Sequence, residues 1–449
     1  MTMPARSYVR KVPSSGAVLW SSAGPALARL DIELTERCNN DCLHCATNLP
    51  AGDASARSRE WTAERWKSLL ADAAGLGCLV VRFTGGEPLL RDDFETIYLH
   101  ARKLGLRVML FTNATLMTPR LARLLKNVPP LEAVEVSVYG MTKDTCEAVT
   151  RAPGSFAAMR RGLGLLGEAG VPLVIKGAVL PPTRHELDDF EAWAAALPGQ
   201  TGAPSWAALF DLRSRPDARK SAHIAALRID GEGYVRLARR HGDEAVAEWG
   251  DFCSRSGGPR GDRLFACLPS TASAAVDAYG RLQYCLGLRH PDTVYDLAAG
   301  SLREAMTDFL PRLRKKRSAN PAYVERCGRC FLKSLCLQCP AKSWTEHGTL
   351  DTPVEYFCGI AHAQAVAAGL LSRGENAWAV PDRRDHAFPP GFVPEGPPLL
   401  QDGPHQVDQR VVVSEGGVET VLIAQDLNPS RRSCAGRKAP EGARRRRPG

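Results

Sequence analysis

Three cysteines near the start of the chain, Cys38, Cys42 and Cys45, follow the spacing Cys-x3-Cys-x2-Cys. Thiolates this close can converge on one metal centre, but a closed structural zinc site needs four ligands. A 4Fe–4S cluster held by only three cysteines leaves one iron open to a small molecule, and the usual ferredoxin spacings supply four thiolates per cluster. The spacing therefore indicates a reactive iron–sulfur centre.

The second group of cysteines lies between Cys253 and Cys358, a stretch that holds eight of the fourteen. The pattern Cys-x12-Gly-x4-Cys runs from Cys267 to Cys285, and Cys-x2-Cys-x5-Cys-x2-Cys-x18-Cys runs from Cys327 to Cys358. Two Cys-x2-Cys pairs are typical of structural zinc, so these residues alone leave a zinc ribbon open. The isolated cysteines are predicted to be a core residue, Cys78, and two bystanders, Cys146 and Cys434.

Short apolar runs alternate with amphipathic helical patterns from residue 28 to about 212. This alternation predicts an α/β fold of parallel βα units, as an open sheet or a partial barrel, with ligands at the carboxyl ends of the strands. The predicted strands are Ala28–Thr35, Leu79–Thr84, Arg107–Thr112, Ala133–Val138, Pro172–Val179 and Trp206–Leu212. The predicted helices are Thr62–Ala74, Phe94–Leu104, Pro119–Lys126, Phe156–Ala169 and His185–Ala196.

A glycine-rich turn, Phe83-Thr84-Gly85-Gly86-Glu87-Pro88, ends the second predicted strand. Paired glycines let a backbone approach a ligand closely, although a plain turn would have the same composition. Together with the cysteine motif after the first strand, the turn resembles the radical SAM superfamily. The resemblance implies a partial (βα)6 TIM-like barrel and a 4Fe–4S cluster on the first three cysteines, whose open iron S-adenosylmethionine chelates.

The resemblance also implies further contacts to S-adenosylmethionine. His44 would lie near the adenine, and the turn would contact the methionine amino group. Strand-end polar residues would reach the ribose and the carboxylate. The implied cofactor-binding residues are His44, Gly85, Gly86, Glu87, Pro88, Asn113, Ser137 and Arg151. A charged residue that is buried on a strand needs a partner for its charge. We therefore expect Lys176, Asp211 and Arg213 either to contact the substrate or to belong to structural ion pairs.

With the N-terminal motif in place, the C-terminal cysteines resemble the SPASM domain, which holds two auxiliary 4Fe–4S clusters. The resemblance implies an outer cluster on Cys327, Cys330, Cys336 and Cys358. It implies a second, inner cluster on Cys267, Cys285 and Cys339, with Cys253 as the candidate fourth ligand. The interval from Cys336 to Cys339 departs from the family pattern, with two intervening residues instead of three.

The family chemistry that this resemblance implies starts with one electron passed from the reduced N-terminal cluster to S-adenosylmethionine. The products are methionine and a 5′-deoxyadenosyl radical, which removes hydrogen from a substrate carbon. We expect the substrate to be a ribosomally made peptide or another protein undergoing modification, and a reducing electron donor to be a second partner. The alternatives are a sulfatase-type maturase, a cofactor-biosynthesis enzyme, a family member without catalysis and a zinc-binding regulator.

The net charge of +9 is concentrated in one short segment. Residues 431–449 contain eight Arg or Lys and one Glu, so the rest of the chain is nearly neutral, and a nucleic-acid partner is not expected. With no long apolar run and no secretory signal, the sequence predicts a cytoplasmic protein without a membrane contact. The predicted organisation is an N-terminal extension over 1–27, a radical SAM partial barrel over 28–230, a bridging helix over 231–252, an iron–sulfur SPASM domain over 253–373, a Pro-rich linker over 374–410, and a hairpin with a disordered basic tail over 411–449.

Overall fold

The structure is a computed structural model that describes residues 27–255, 261–265, 272–380, 408–414 and 417–423. For residues 251–255 and the last two segments, only the backbone is described. Cys267 and Cys434 lie outside the described residues. The backbone of Cys253 lies in a helix, but its side chain is not described.

One nine-stranded sheet organises residues 27–380. Its strands are β1 Arg29–Thr35, β2 Val80–Gly85, β3 Arg107–Thr112, β4 Leu131–Ser137, β5 Leu173–Ala178, β6 Ser205–Ala207, β7 Ser273–Val276, β8 Arg281–Gln283 and β9 Val294–Asp296. The strand order is β9-β8-β7-β1-β2-β3-β4-β5-β6. Strands β7 and β1 to β6 run parallel, whereas β8 and β9 are antiparallel to their neighbours. The α/β class and the mostly parallel sheet predicted from the sequence are therefore confirmed.

The helices mostly follow the predicted alternation with the strands. They are α1 Ala54–Arg59, α2 Ala63–Gly75, α3 Phe94–Lys103, α4 Pro119–Asn127, α5 Lys143–Thr150, α6 Ser155–Glu168, α7 Leu187–Ala195, α8 Ala218–Leu227, α9 Gly231–Ala238, α10 Glu244–Arg255, α11 Leu302–Glu304, α12 Leu310–Arg314, α13 Pro340–His347 and α14 Glu355–Ala367. The predicted bridging helix is two helices: α9 ends at Ala238, and the 3-10 turn that follows it, Arg239–His241, ends at Gly242, which has a φ of 124°. Within the described residues, no helix is long and apolar enough to cross a membrane.

The two faces of the sheet differ in polarity. Alternate strand residues such as Leu30, Ile32 and Phe83 are fully buried in the apolar core. Helix α7 covers this side, since Phe190 lies directly against the backbone of Gly177. Burial of these side chains contributes on the order of 1.5–3 kcal/mol each to the stability of the fold.

The opposite face carries charged residues. Arg82 pairs with Asp31 on the neighbouring strand at 3.4 Å, and Lys176 Nζ lies 2.6 Å from Glu135 Oε2. Both cations also lie over the ring of Phe111, at 4.8 Å and 5.3 Å from its centroid. The charges are therefore paired within the sheet, as buried or half-buried ions require.

Two C-terminal segments differ from the predicted boundaries. The predicted linker began at residue 374, but Ala377 is buried and its N–H donates to His362 Nε2 at 3.1 Å. Residues Ala377 and Trp378 of the predicted linker therefore pack against His362 of α14. As a separate unit, β10 Asp408–Ser414 pairs antiparallel with β11 Gly417–Ile423 in the register Asp408↔Ile423 to Ser414↔Gly417.

Candidate S-adenosylmethionine and iron–sulfur site

The cysteine loop follows directly from the carboxyl end of β1. A two-residue strand pair, Arg37–Cys38 with Leu49–Pro50, closes the loop. The loop also docks on the end of α5, where Asp41 N–H donates to Thr150 O at 2.9 Å and Leu43 N–H donates to Val149 O at 3.0 Å. Backbone hydrogen bonds on both sides therefore hold the three cysteines at the edge of the sheet where ligands are expected.

Donors point at two of the three sulfurs. The N–H of Asn40 lies 3.4 Å from Cys38 Sγ, the N–H of Asn48 lies 3.4 Å from Cys45 Sγ, and Asn113 Nδ2 lies 3.8 Å from Cys38 Sγ. Burial, with the nearby charge of Glu87, raises the pKa of Cys38 to about 12. A cationic cluster would compensate for that cost, since coordination deprotonates a thiol outright. The donor set therefore fits thiolates bound to metal.

The spacing of the sulfurs argues against a mononuclear zinc site. Among the residues that the structure describes, only Asp188, Glu191 and His241 bring three metal-binding atoms within 4.8 Å of one another. Four thiolates around one zinc would lie about 3.8 Å apart, given a Zn–S bond of about 2.3 Å. Cys38, Cys42 and Cys45 do not form such a group, so at least one pair of these sulfurs is more than 4.8 Å apart.

The glycine-rich turn after β2 is joined to the cysteine loop by backbone hydrogen bonds. Gly86 N–H donates to Thr35 O at 2.7 Å, and Glu87 N–H donates to Arg37 O at 2.8 Å. A Cβ atom on Gly85 or Gly86 would lie closer than 3.0 Å to one of these carbonyl oxygens, and Gly85 also has a φ of 132°. The two glycines are required because they let the turn and the loop touch.

Glu87 is buried and accepts three hydrogen bonds from its own chain. Oε1 accepts from Leu89 N–H at 3.1 Å and from Thr112 Oγ1 at 2.8 Å, and Oε2 accepts from Asn113 N–H at 2.8 Å. Burial raises the pKa of this carboxyl to about 7. The side chain thereby ties the end of β2 to the end of β3 and fixes Asn113, whose amide reaches Cys38. Pro88, the last residue of the motif, is buried at the start of a short 3-10 turn.

His44 lies in an aromatic environment beside the cysteines. Its ring centroid is 4.7 Å from that of Tyr139 and 5.1 Å from that of Phe210, and its buried Nδ1 has no hydrogen-bond partner in the described part of the chain. Burial, followed by the charge of Lys220, lowers the pKa of His44 to about 4, so the ring is neutral. Ser137 ends β4 and hydrogen-bonds the Tyr139 hydroxyl. A flat neutral ring with an unpartnered ring nitrogen is suited to a heteroaromatic ligand.

The other polar candidates have partners within the chain. Arg151, with a left-handed φ of 52°, donates to Asp41 O at 2.8 Å and pairs with the Asp41 carboxylate. Buried Arg213 donates to Cys45 O at 3.3 Å and to Asn48 Oδ1 at 3.1 Å, so it supports the cysteine loop. Asp211 is exposed and pairs with a lysine of α13.

Comparison with known proteins agrees with this geometry. The sequence profile described as "Radical SAM superfamily" matches residues 32–194, which contain the cysteine loop and the glycine-rich turn. Residues 32–194 therefore form a radical SAM domain. It is 25% identical over 340 residues to an AdoMet-dependent heme synthase of Nitratidesulfovibrio vulgaris, covering 70% of this chain and 88% of that protein.

Two further similarities concern the radical SAM domain and its fold. The chain is 29% identical over 180 residues to a PqqA peptide cyclase of Ruegeria pomeroyi, covering 40% of this chain and 46% of that protein. A solved structure, native anSMEcpe with bound AdoMet, superposes with a TM-score of 0.51 and 14% identity, covering 76% of this chain and 97% of the other. The partial-barrel fold predicted for the radical SAM enzyme is thereby confirmed.

Four of the cysteines after the radical SAM domain line one cavity. The cavity beside α14, about 40 Å³ in volume, is lined by Cys327, Cys330, Cys336 and Cys358. This volume exceeds the roughly 10–15 Å³ that holds one water. Cys285 and Cys339 do not line it; Cys285 is exposed after β8, and Cys339 immediately precedes α13.

The four cysteines of this cavity, Cys327, Cys330, Cys336 and Cys358, also interact electrostatically. Burial, together with the charges of Cys358 and Cys327, raises the pKa of Cys330 to about 12. Burial likewise raises the pKa of Cys336, and the charges of Cys330, Cys358 and Cys327 act in the same direction. Four mutually repelling thiolates in one apolar cavity would need a metal centre to compensate for their charge.

A buried charged network beside the cysteine loop was not foreseen from the sequence. Glu36 is fully buried and accepts from Arg215 Nε at 2.8 Å, from an Arg289 nitrogen at 2.5 Å and from the Tyr279 hydroxyl at 2.8 Å. Arg289 also pairs with Glu33 at 2.6 Å. The sequence signal was two glutamates, Glu33 inside strand β1 and Glu36 directly after it.

Proposed function

We propose that this radical SAM enzyme removes a hydrogen atom from a carbon of a ribosomally made peptide or other protein and carries two auxiliary 4Fe–4S clusters. The observation that supports the radical site is the hydrogen-bonded contact between the glycine-rich turn and the cysteine loop, at Gly86 and Thr35. S-adenosylmethionine and the N-terminal cluster would supply, when bound, the one-electron cleavage chemistry. The protein supplies binding, orientation and exclusion of water.

Cys38, Cys42 and Cys45 would hold the N-terminal cluster. The amide of Asn113 and the N–H groups of Asn40 and Asn48 would stabilise the thiolates, as hydrogen bonds to cluster sulfurs do. The neutral ring of His44 would pack near the adenine. Gly85, Gly86 and Pro88 would let the backbone approach the methionine end, while Glu87 would position Asn113. Ser137 and Arg151 would lie toward the ribose and the carboxylate.

The substrate would enter from the carboxyl ends of the strands. Lys176 is paired with Glu135 below that edge, and Arg213 is occupied by the cysteine loop, so neither needs a substrate for charge compensation. Asp211 is exposed at the same end of the sheet and remains our candidate for a substrate contact. A peptide backbone can bind there without a dedicated charged pocket, and we favour a peptide on that ground.

The auxiliary clusters would be held by the C-terminal cysteines. The grouping of Cys327, Cys330, Cys336 and Cys358 around one cavity supports the outer cluster. The inner cluster would use Cys285 and Cys339 together with Cys267, and Cys253 is the proposed fourth ligand. A reducing protein would supply electrons to the enzyme.

A second candidate function is the modification of a small cofactor precursor. It is favoured by the similarity to the heme synthase, which extends over 88% of that protein. The two candidates can be separated by titrating the reconstituted enzyme with a short peptide library and with a heme-type precursor. Only the true substrate should increase 5′-deoxyadenosine formation above the rate seen without substrate.

The proposed function is tested on protein reconstituted without oxygen, with dithionite and S-adenosylmethionine. We expect about twelve irons per chain and formation of 5′-deoxyadenosine. A Cys38→Ala, Cys42→Ala, Cys45→Ala triple variant should keep about eight irons and form no 5′-deoxyadenosine. Cys146→Ala, a buried cysteine outside every proposed ligand set, is the matched control and should resemble the wild type. Zinc in place of iron, with no cleavage, would contradict the proposal and favour the zinc-binding regulator.

A further inference from the structure

Two side-chain donors converge on one thiol of the C-terminal cavity, Cys358. Arg326 is the residue before Cys327, and its guanidinium nitrogen lies 3.8 Å from Cys358 Sγ. His362 Nδ1 lies 3.6 Å from the same sulfur, one helical turn further along α14. Both donors come from residues that the cysteine pattern does not include.

The orientation of His362 follows from its second nitrogen. Nε2 faces the backbone N–H of Ala377 at 3.1 Å, so it must be the acceptor in that contact. In the neutral ring the proton is then on Nδ1, which donates toward Cys358 O at 2.8 Å and toward its sulfur. Packing of residues 374–380 therefore fixes the tautomer that serves Cys358.

Arg326 is held in place by three contacts. Its two terminal nitrogens form a fork with the Glu355 carboxylate at 2.7 Å and 3.0 Å, and its guanidinium lies 4.6 Å from the ring centroid of Trp378. Glu355 is the first residue of α14, so the fork joins the segment carrying Cys327 to the helix carrying Cys358. The guanidinium is half-buried at the wall of the cavity, where charge interactions are stronger than in water.

We propose that Arg326 tunes the reduction potential of the outer auxiliary cluster through Cys358, with Glu355 setting how much of the guanidinium charge reaches that thiolate. A reduced cluster carries one more negative charge than an oxidised one, so a nearby cation and N–H donors to sulfur favour the reduced state. Glu355 partly neutralises the cation, so removing Arg326 and removing the Glu355 charge should have opposite effects. Arg326 is a positioning residue here, because it acts on the cluster through its cysteine.

The inference rests on the proposed function, because it requires the outer cluster. The test is an anaerobic redox titration followed by electron paramagnetic resonance, in the triple variant that lacks Cys38, Cys42 and Cys45. Only the auxiliary clusters are then observed, and the signal that disappears in Cys330→Ala identifies the outer one. Iron content is measured on each sample, so the readout does not depend on enzyme activity.

We expect Arg326→Gln to lower the equilibrium constant for reduction of the outer cluster about tenfold, equivalent to about 59 mV for a one-electron couple. Glu355→Gln should raise that constant several-fold. Because Gln keeps an acceptor of similar size for Arg326, this variant still tests the proposal if Arg326→Gln does not retain its cluster. Arg329→Gln is the matched control, since Arg329 is an exposed cation between two of the same cysteines, and it should leave the constant within about twofold.

The outcomes separate the two proposals. If the parent protein holds no iron on its C-terminal cysteines, the proposed auxiliary clusters are wrong. If it holds them but Arg326→Gln and Glu355→Gln shift the potential in the same direction, or neither shifts it, the clusters stand and the tuning role is wrong. A shift in Arg329→Gln as large as that in Arg326→Gln would also overturn it, because general surface charge would then explain the effect.

Discussion

Replacing Gly86 by Ala tests whether the glycine-rich turn and the cysteine loop must touch. The added Cβ would lie 2.5 Å from the carbonyl carbon of Arg37 and closer than that to its oxygen, and both are backbone atoms that cannot rotate away. The turn must therefore move outward, which weakens the hydrogen bonds from Gly86 N–H to Thr35 O and from Glu87 N–H to Arg37 O. Gly86 has no positive φ, so the substitution tests this contact without backbone strain.

The expected magnitude follows from those two hydrogen bonds. Each buried bond contributes about 0.5–1.5 kcal/mol, so the free energy of unfolding should fall by about 1–3 kcal/mol. A displacement of about 1 Å at a reacting site costs about 100-fold in rate, and we expect a loss of that order in 5′-deoxyadenosine formation. The assays are urea unfolding of the apoprotein and product quantification on the reconstituted enzyme.

The control for this experiment is Gly164→Ala. Gly164 lies in the interior of α6, with open space around its Cα, so the added methyl should stabilise the helix by about 0.5–1 kcal/mol. Cleavage by the control should match the wild type. If Gly86→Ala unfolds and cleaves S-adenosylmethionine like the wild type, the contact between the turn and the cysteine loop has no functional role and the reasoning fails.

Three further predictions concern residues around the site and the C-terminal region. The pKa of Glu87 is raised to about 7 from 4.5, so the folded state holds the proton more tightly than the unfolded state, and the contribution of Glu87 to stability falls as pH rises from about 4.5 to 7. Glu87→Gln should therefore reduce the slope of the urea-measured free energy of unfolding against pH over that range, by up to about 1.4 kcal/mol per pH unit. An unchanged slope would refute the assignment. Arg213→Lys should lose at least one of the bonds to Cys45 O and Asn48 and lower iron at the N-terminal site alone, measured by iron content and electron paramagnetic resonance; equal iron loss at the C-terminal cysteines would count against a local role. Arg228→Ala should cost about 1.5–3 kcal/mol in unfolding free energy, since it removes a charged hydrogen bond to half-buried Glu346, whereas a loss below about 1 kcal/mol would mean that this ion pair does not hold the barrel to α13.

The sequence was most informative where chemistry is local. The spacing of Cys38, Cys42 and Cys45 and the composition of the Gly85–Pro88 turn predicted the radical SAM domain, because residues expected to bind one centre lie within a few positions of each other. The apolar runs located strands β1 to β5 within about two residues, since buried parallel strands read as continuous hydrophobic segments. Helix α5 and the strands after residue 272 were missed, because short elements carry too little periodicity.

Tertiary structure decided which charged residues are available for chemistry. Glu36 is joined to Arg289 across 253 positions of the chain, and Lys176 is paired with Glu135 on the adjacent strand. No local pattern reports such partners, because burial and pairing depend on how strands are ordered in the sheet. The same holds for Arg326 and His362 beside Cys358: the sequence predicts that the cysteine is a ligand, but only the fold brings these two donors to its sulfur.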